Sequence, residues 1–204
     1  MPLVYQQNIN EYSRLGMWHI TENENFFMDH VPLKKEITHP HKRLQHLAGR
    51  YLLKVMFPDF PLSLILIADT NKPFLENEAY HFSISHCGNY AAVIVSSKNR
   101  VGVDIEIIQP KVERIKNKFL SMEELNTLVP ANLQSLTLSW SCKEVMFKWY
   151  GLGQIDFKKD LLLENISASE KKGIINGVFR KNGNIPLQIN YHFFETLCLC
   201  WVCC

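Results

Sequence analysis

Between Pro40 and Phe57 apolar residues return every three or four positions: Leu44, Leu47, Ala48, Tyr51, Leu52, Val55 and Met56. That spacing predicts a helix with one buried face, stopped by Pro58 and Pro61. Leu136 to Tyr150 reads as a second helix closed by Gly151 and Gly153, and Phe119 to Leu128 as a shorter one entered at Ser121. Elsewhere the pattern is strand-like. His81 to Ser85 alternates, with Phe82 and Ile84 on one face and Ser83 and Ser85 on the other. Leu62 to Ala68, Tyr90 to Val95 and Val101 to Ile107 are further strands, with a turn at Asp69 to Pro73 and a hairpin turn at Ser96 to Arg100. Residues 3 to 31 start apolar, continue through Leu15 to Ile20 with its Trp18, and reach a turn or helix start at Thr21 to Asn25. The last quarter holds four strand-like runs: Leu161 to Ile166, Gly173 to Arg180, Leu187 to Phe194 and Leu197 to Val202. Helices and strands alternate irregularly, which predicts an α+β fold with antiparallel sheets. No linker-like stretch or internal sequence repeat interrupts the pattern.

Composition narrows the class. The 204 residues are 47% hydrophobic and 21% charged, as in ordinary globular chains. Twenty-two Lys and Arg against 20 Asp and Glu leave a net charge of +2, too balanced for nucleic-acid binding by bulk charge. No apolar run reaches the ~18 residues of a membrane span, and the first residues lack the charged and apolar regions of a signal peptide. Four of six cysteines, Cys198, Cys200, Cys203 and Cys204, crowd the C-terminus rather than framing a disulfide network. These features point to a cytoplasmic chain, and the terminal cysteines read as core or incidental thiols rather than zinc ligands.

Four groups of residues could carry chemistry. In Val101-Gly-Val-Asp-Ile-Glu-Ile107 the valines and isoleucines share one strand face, and Gly102, Asp104 and Glu106 share the other. Two carboxylates so close repel unless a cation lies between them. Mg²⁺ with a substrate phosphate suits such a pair, and Gly102 leaves room for a ligand; the plainer reading is a solvated acidic face. In Trp140-Ser-Cys-Lys-Glu-Val-Met-Phe-Lys-Trp149, helical spacing aligns Trp140, Glu144 and Lys148, with Lys143 alongside. Glu144 could hold a metal and the lysines phosphate oxygens. Alternatively, Glu144 and Lys148 form a surface salt pair and Ser141-x-x-Glu144 a helix cap. Lys34, Lys35, Lys42, Arg43, Arg50 and Lys54 face one acid, Glu36, a composition suited to phosphates, to an acidic partner, or simply to a solvated helix. Ser83-Ile-Ser-His86 lacks the surroundings of a hydrolase elbow and suits phosphate or sugar binding, or a structural turn.

Taken in order, Lys72-Pro73, Phe82-Ser-Ile-Ser-His86, Gly102-Val-Asp-Ile-Glu106, Phe119-Leu-Ser-Met-Glu-Glu124 and Trp140-Ser-Cys-Lys-Glu144 with Lys148 resemble the Sfp-type 4′-phosphopantetheinyl transferases. Arg43-Leu-Gln-His-Leu-Ala-Gly-Arg50 is similar to a basic helix of the siderophore-synthetase branch. The motifs span roughly residues 40 to 155. The resemblance implies a monomer of two similar α/β halves related by a pseudo-two-fold, with the active site at their interface. Residues 1–108 would carry the basic helix, the nucleotide contacts and the acidic strand, and residues 109–204 the Trp-x-x-Lys-Glu helix and a sheet. It further implies transfer of the phosphopantetheine arm of coenzyme A to a serine of an apo acyl or peptidyl carrier protein, releasing 3′,5′-ADP. Mg²⁺ would be held by Asp104, Glu106 and Glu144. Lys148 would contact the pyrophosphate and stabilise or protonate the leaving group, and Glu144 or a water on the metal would serve as base. Lys72, Ser85 and His86 would hold the nucleotide end, with Arg43, Arg50 or Lys143 as further phosphate contacts; Glu124 has no assigned role.

Two other functions use parts of the same set. A metal-dependent phosphoesterase would need a water nucleophile and usually more ligands. A non-catalytic coenzyme A or carrier-binding module would have little use for three carboxylates beside Lys148.

Overall fold

A computed structural model describes residues 2–33, 36–128, 132–164, 166 and 170–204. The chain is a mixed α/β protein with antiparallel sheets, divided into two compact units: Met1–Val101 with Cys203, and Gly102–Val202 with Cys204. No helix among the described residues is long and apolar enough to cross a membrane.

The first unit contains β1 (Leu3–Asn10), β2 (Ser13–His19), α1 (Glu24–Met28), α2 (Pro40–Met56), β3 (Leu66–Ile67), β4 (Pro73–Phe74), β5 (His81–Cys87) and β6 (Tyr90–Ser96). Its main sheet has the order β1-β2-β6-β5, every neighbour antiparallel. The periodic face predicted for α2 is the buried one: Leu47, Ala48, Leu52, Leu53 and Met56 pack into a core with Trp18, Phe82, Ala91, Val93 and Val95. His39 caps α2 by accepting from the Lys42 N–H, and Pro40 occupies its first turn, where the missing N–H costs nothing. Gln45 donates to the Gly88 carbonyl at 2.8 Å and His41 meets Asn89 at 3.1 Å, so the start of α2 is tied to the β5–β6 turn.

The second unit contains β7 (Val101–Ile107), α3 (Lys111–Phe119), α4 (Met122–Thr127), α5 (Leu133–Tyr150), β8 (Leu161–Glu164), β9 (Lys172–Phe179), β10 (Ile185–Phe194) and β11 (Leu197–Cys203). Its sheet order is β7-β11-β10-β9-β8. Helix α5 begins at an Asn132–Ser135 capping box and ends at Gly151, whose φ of 76° a side chain would resist. Its Leu138, Val145 and Met146 share a core with Phe179, Leu187 and Ile189.

Three expectations change. Leu62 to Ala68 is not one strand: Leu62–Leu64 is a 3-10 turn and only Leu66–Ile67 pairs, with Pro73–Phe74. Leu64, Leu66 and Ile67 have no core to enter and stay 53%, 43% and 51% exposed. Ser96 to Arg100 is not a hairpin turn, because β6 already has β2 and β5 on its two edges; the chain crosses instead to a new sheet, where β7 lies beside β11. The sequence reading counted that acidic strand with residues 1–108, whereas its pairing puts it in the second unit. The β1–β2 hairpin and the short, highly charged α3 were not foreseen.

Gly102 also has a different role from the space for a ligand first read there. A Cβ on it would lie 2.3 Å from the Val145 carbonyl oxygen and 3.0 Å from the Trp149 nitrogen. The missing side chain lets the backbone of α5 lie directly on β7, and backbone atoms cannot rotate away. Gly102→Ala is therefore expected to lower stability by about 1–3 kcal/mol, the usual cost of overpacking. An unchanged urea midpoint would contradict this close approach.

Candidate active site

The apposition of β7 and α5 brings three carboxylates and a lysine together. Asp104 is only 3% exposed. Its Oδ1 accepts from Lys148 Nζ at 2.7 Å and its Oδ2 from Ser141 Oγ at 2.8 Å. Glu106, two residues on and half-buried, accepts from the Trp140 indole N–H at 3.1 Å. Glu144 projects from α5 between the turns that carry Trp140 and Lys148 and makes no hydrogen bond or ion pair among the described residues. Burial pushes its carboxyl up to about 7; Asp104 and Glu106 add to the rise and Lys148 opposes it. Glu106 is raised as well, by burial first and by Asp104 second.

This arrangement removes two plain readings. The acidic face is not solvated, since Asp104 is buried. Lys148 pairs with Asp104 rather than with Glu144 as a surface salt pair, and Ser141 caps nothing, because α5 starts at Asn132, nine residues earlier. Among the described residues no three His, Cys, Asp or Glu side chains form a ready-made metal cluster. The donor chemistry nevertheless suits a hard divalent cation. Three carboxylates sit within one another's fields; Lys148 offsets Glu106 and Glu144, and Lys111 acts on Glu106 as well.

Trp140 is itself held. Its ring stacks on Phe157, centroids 5.7 Å apart, and meets Phe119 edge-on at 5.1 Å. The backbone carbonyls of those two phenylalanines both accept from Lys143 Nζ at 2.8 Å. The third Lys143 donor goes to Glu124 at 2.8 Å. Glu124 also accepts from the N–H groups of Ser121 at 2.8 Å and Leu163 at 3.0 Å. One buried ion pair thus ties α3, α4, α5, β8 and the segment after α5 into the frame that supports Trp140.

The first unit has a cavity of about 500 Å³, lined by His46, Arg50 and His86 and walled by Ile37, Ile65, Ile84 and other apolar groups. Arg50 is half-buried and donates to His46 Nδ1 at 3.0 Å, with no carboxylate partner among the described residues; burial lowers its pKa. Arg43, in contrast, is spent. It is paired with Glu24 at 2.6 and 2.9 Å and donates to the Ile37 carbonyl at 2.8 Å. Lys72 lies between the cavity-lining residues Asn71 and Pro73. It is pushed down to about 8, mainly by burial and secondarily by Arg100. Ser85 is buried on the opposite face of β5 from His86, as neighbours in a strand must be. Lys34 and Lys35 lie outside the described residues.

The model of the 4′-phosphopantetheinyl transferase superfamily matches residues 100–193, which include β7 and α5. Enterobactin synthase component D of Escherichia coli (strain K12) is 30% identical over 165 residues, covering 77% of each chain. This chain belongs to the 4′-phosphopantetheinyl transferase superfamily. The 4′-phosphopantetheinyl transferase AcpT of the same strain is 29% identical over 126 residues, 58% of this chain and 64% of the relative. A putative 4′-phosphopantetheinyl transferase of Haemophilus influenzae is 30% identical over 125 residues, 56% of this chain and 52% of its own length. The match to these last two therefore spans less than two thirds of their length.

Within this family frame one expectation is corrected. Lys143 does not reach for a phosphate: its side chain is fully buried and each of its three donors is used. Three other contributors escaped the sequence reading. Ser141 reads in sequence only as a cap, Trp140 only as part of a helical stripe, and His46 carries no signal by itself. The i, i+4 spacing of His46 and Arg50 was the one available signal. The buried cysteines Cys142, Cys198 and Cys200 sit in the second core, in keeping with small apolar side chains.

Lys143→Met should strand Glu124 as an unpaired buried charge and cost about 3–5 kcal/mol. Coenzyme A affinity per folded molecule should hold. Calorimetric titration below the lowered melting point checks this, and wild-type stability with weaker binding would restore Lys143 as a ligand contact.

Glu144 predicts a pH dependence in buffer free of divalent cations. Its folded pKa of about 7 exceeds its ordinary 4.5, so the unfolded chain gives up the proton first. Stability is full below pH 4.5 and falls as pH rises through 7. Urea unfolding from pH 5 to 8 should show wild type losing up to about 3 kcal/mol more than Glu144→Gln. Parallel pH profiles would contradict the shift.

Proposed function

We propose that this chain transfers the 4′-phosphopantetheine arm of coenzyme A to a serine of an apo acyl or peptidyl carrier protein. Three mutually repelling carboxylates on β7 and α5, offset by Lys148, are the observation that carries this reading. Asp104, Glu106 and Glu144 would hold Mg²⁺, which when bound neutralises phosphoryl charge and polarises the pyrophosphate. Glu144, which has no hydrogen-bond or ion-pair partner among the described residues, is available to take the serine proton. The serine oxygen forms a bond to the β-phosphorus, the bond from that phosphorus to the bridging oxygen breaks, and 3′,5′-ADP leaves. Lys148 is placed by Asp104 to stabilise the negative charge that grows on the departing oxygen.

The nucleotide end of coenzyme A is assigned to Arg50, His86 and Lys72; Ser85, expected there as well, is buried on the opposite face of β5 from His86. Arg50 is favoured over Arg43 because a half-buried guanidinium without a carboxylate partner among the described residues gains most from an anion, whereas Arg43 would first have to leave Glu24. The two units would be related halves of a single-chain cytoplasmic enzyme.

The test is incubation with coenzyme A, MgCl₂ and a panel of apo carrier proteins, read by mass spectrometry. The expected result is one phosphopantetheine arm on the carrier serine with release of 3′,5′-ADP, abolished by EDTA and by Asp104→Ala. Lys148→Met should lower kcat by about two orders of magnitude, as for loss of one electrostatic stabiliser, with little change in KM for coenzyme A. No mass gain on any carrier would overturn the proposal. A rise in KM at constant kcat would make Lys148 a binding residue only.

A further inference from the structure

Arg50 is held in an unusual way. Guanidinium groups are always charged and donate only, so a half-buried one ordinarily finds a carboxylate. The Arg50 guanidinium donates to His46 Nδ1 at 3.0 Å and has no other hydrogen-bond partner among the described residues. Arginine cannot accept, so His46 must present its Nδ1 lone pair and carry its hydrogen on Nε2. The two side chains stand one turn apart on α2, and both line the cavity. Gly49, immediately before Arg50, brings this turn close to β5: a Cβ there would be 2.7 Å from Ile84 Cγ2. Ile84 and His86 share a β5 face and line the same cavity.

We infer that His46 is a positioning residue that aims Arg50 at an anionic group of the ligand while leaving its charge uncompensated. The inference rests on the proposed coenzyme A site and adds how that site keeps its affinity for phosphate. A carboxylate at position 46 would hold Arg50 as firmly. It would also neutralise the guanidinium and compete with the ligand for the same donors, as Glu24 does at Arg43. A neutral acceptor orients one N–H and leaves the rest of the fork, with its full charge, for a phosphate. The surrounding wall is mostly apolar and, among the described residues, no carboxylate lines the cavity, so the field there is positive.

Two near-isosteric variants separate charge placement from shape. His46→Gln keeps a neutral acceptor and His46→Glu supplies a charged one. Isothermal titration of the full chain with coenzyme A should give a Kd within about threefold of wild type for Gln. For Glu it should be weaker by about 10- to 100-fold, the loss of one charge-assisted contact. In the transfer assay His46→Glu should raise KM for coenzyme A and leave kcat at saturation nearly unchanged. Should His46→Glu fail to fold, His46→Leu takes its place: it should weaken binding several-fold, and add no loss when Arg50 is already methionine. Equal affinities for Gln and Glu, or a Leu effect that persists in Arg50→Met, would overturn the inference while the coenzyme A site stands. Wild-type protein that binds neither coenzyme A nor inorganic pyrophosphate would overturn both.

Discussion

The arrangement of the second unit depends on a buried carboxylate. Asp104 lies on the strand face against α5, out of water, where an unpaired charge would cost several kcal/mol. Lys148 and Ser141, two turns apart on α5, meet its two oxygens, and Gly102 lets the helix come close enough for them to do so. The register of α5 on β7 is thus set by an interaction that folding itself requires. Glu144, between those two contacts along the helix, and Glu106, two residues beyond Asp104, are placed as a consequence.

Saturation separates scaffold from machinery in this chain. Lys143 and Glu124 are deeply buried with their hydrogen-bonding capacity largely consumed by one another and by backbone; such groups rigidify and have nothing left for a ligand. Arg43 is spent on Glu24 in the same sense. Glu144 and Arg50 are also withdrawn from water, but neither has a compensating opposite charge bonded to it, and burial shifts both toward their neutral forms. An unbalanced charge in a half-buried place is a liability for the free protein. It becomes an asset when a cation or an anion arrives, since pre-set groups need no reorganisation.

The aromatic residues convert one of these frames into precision at the other. Trp140 is braced by Phe119 and Phe157, whose carbonyls are drawn in by Lys143, and its N–H reaches Glu106. The ion pair at Lys143 therefore contributes to the acidic site without touching it. The lysine and glutamate adjacent in sequence, Lys143 and Glu144, face different surroundings because successive helix positions turn by about 100°.

Local pattern alone determined much of this protein. The three-and-four spacing over α2 and α5 and the caps at Ser121 and Gly151 follow from short-range sterics and hydrogen bonding, so they are legible within a few residues. The order of the motifs from Lys72 to Lys148 was likewise sufficient for the family. What escaped was whatever depended on a distant neighbour. Ser96 to Arg100 looks like a hairpin turn until β2 and β5 are seen to occupy both edges of β6. Lys143 looks like a phosphate contact until Glu124, Phe119 and Phe157 use up its donors, and Arg43 and Arg50 look equivalent until only one of them finds a carboxylate. The tertiary structure decided these matters because the fate of a charge is set by the groups that replace its water, and those groups come from other parts of the chain.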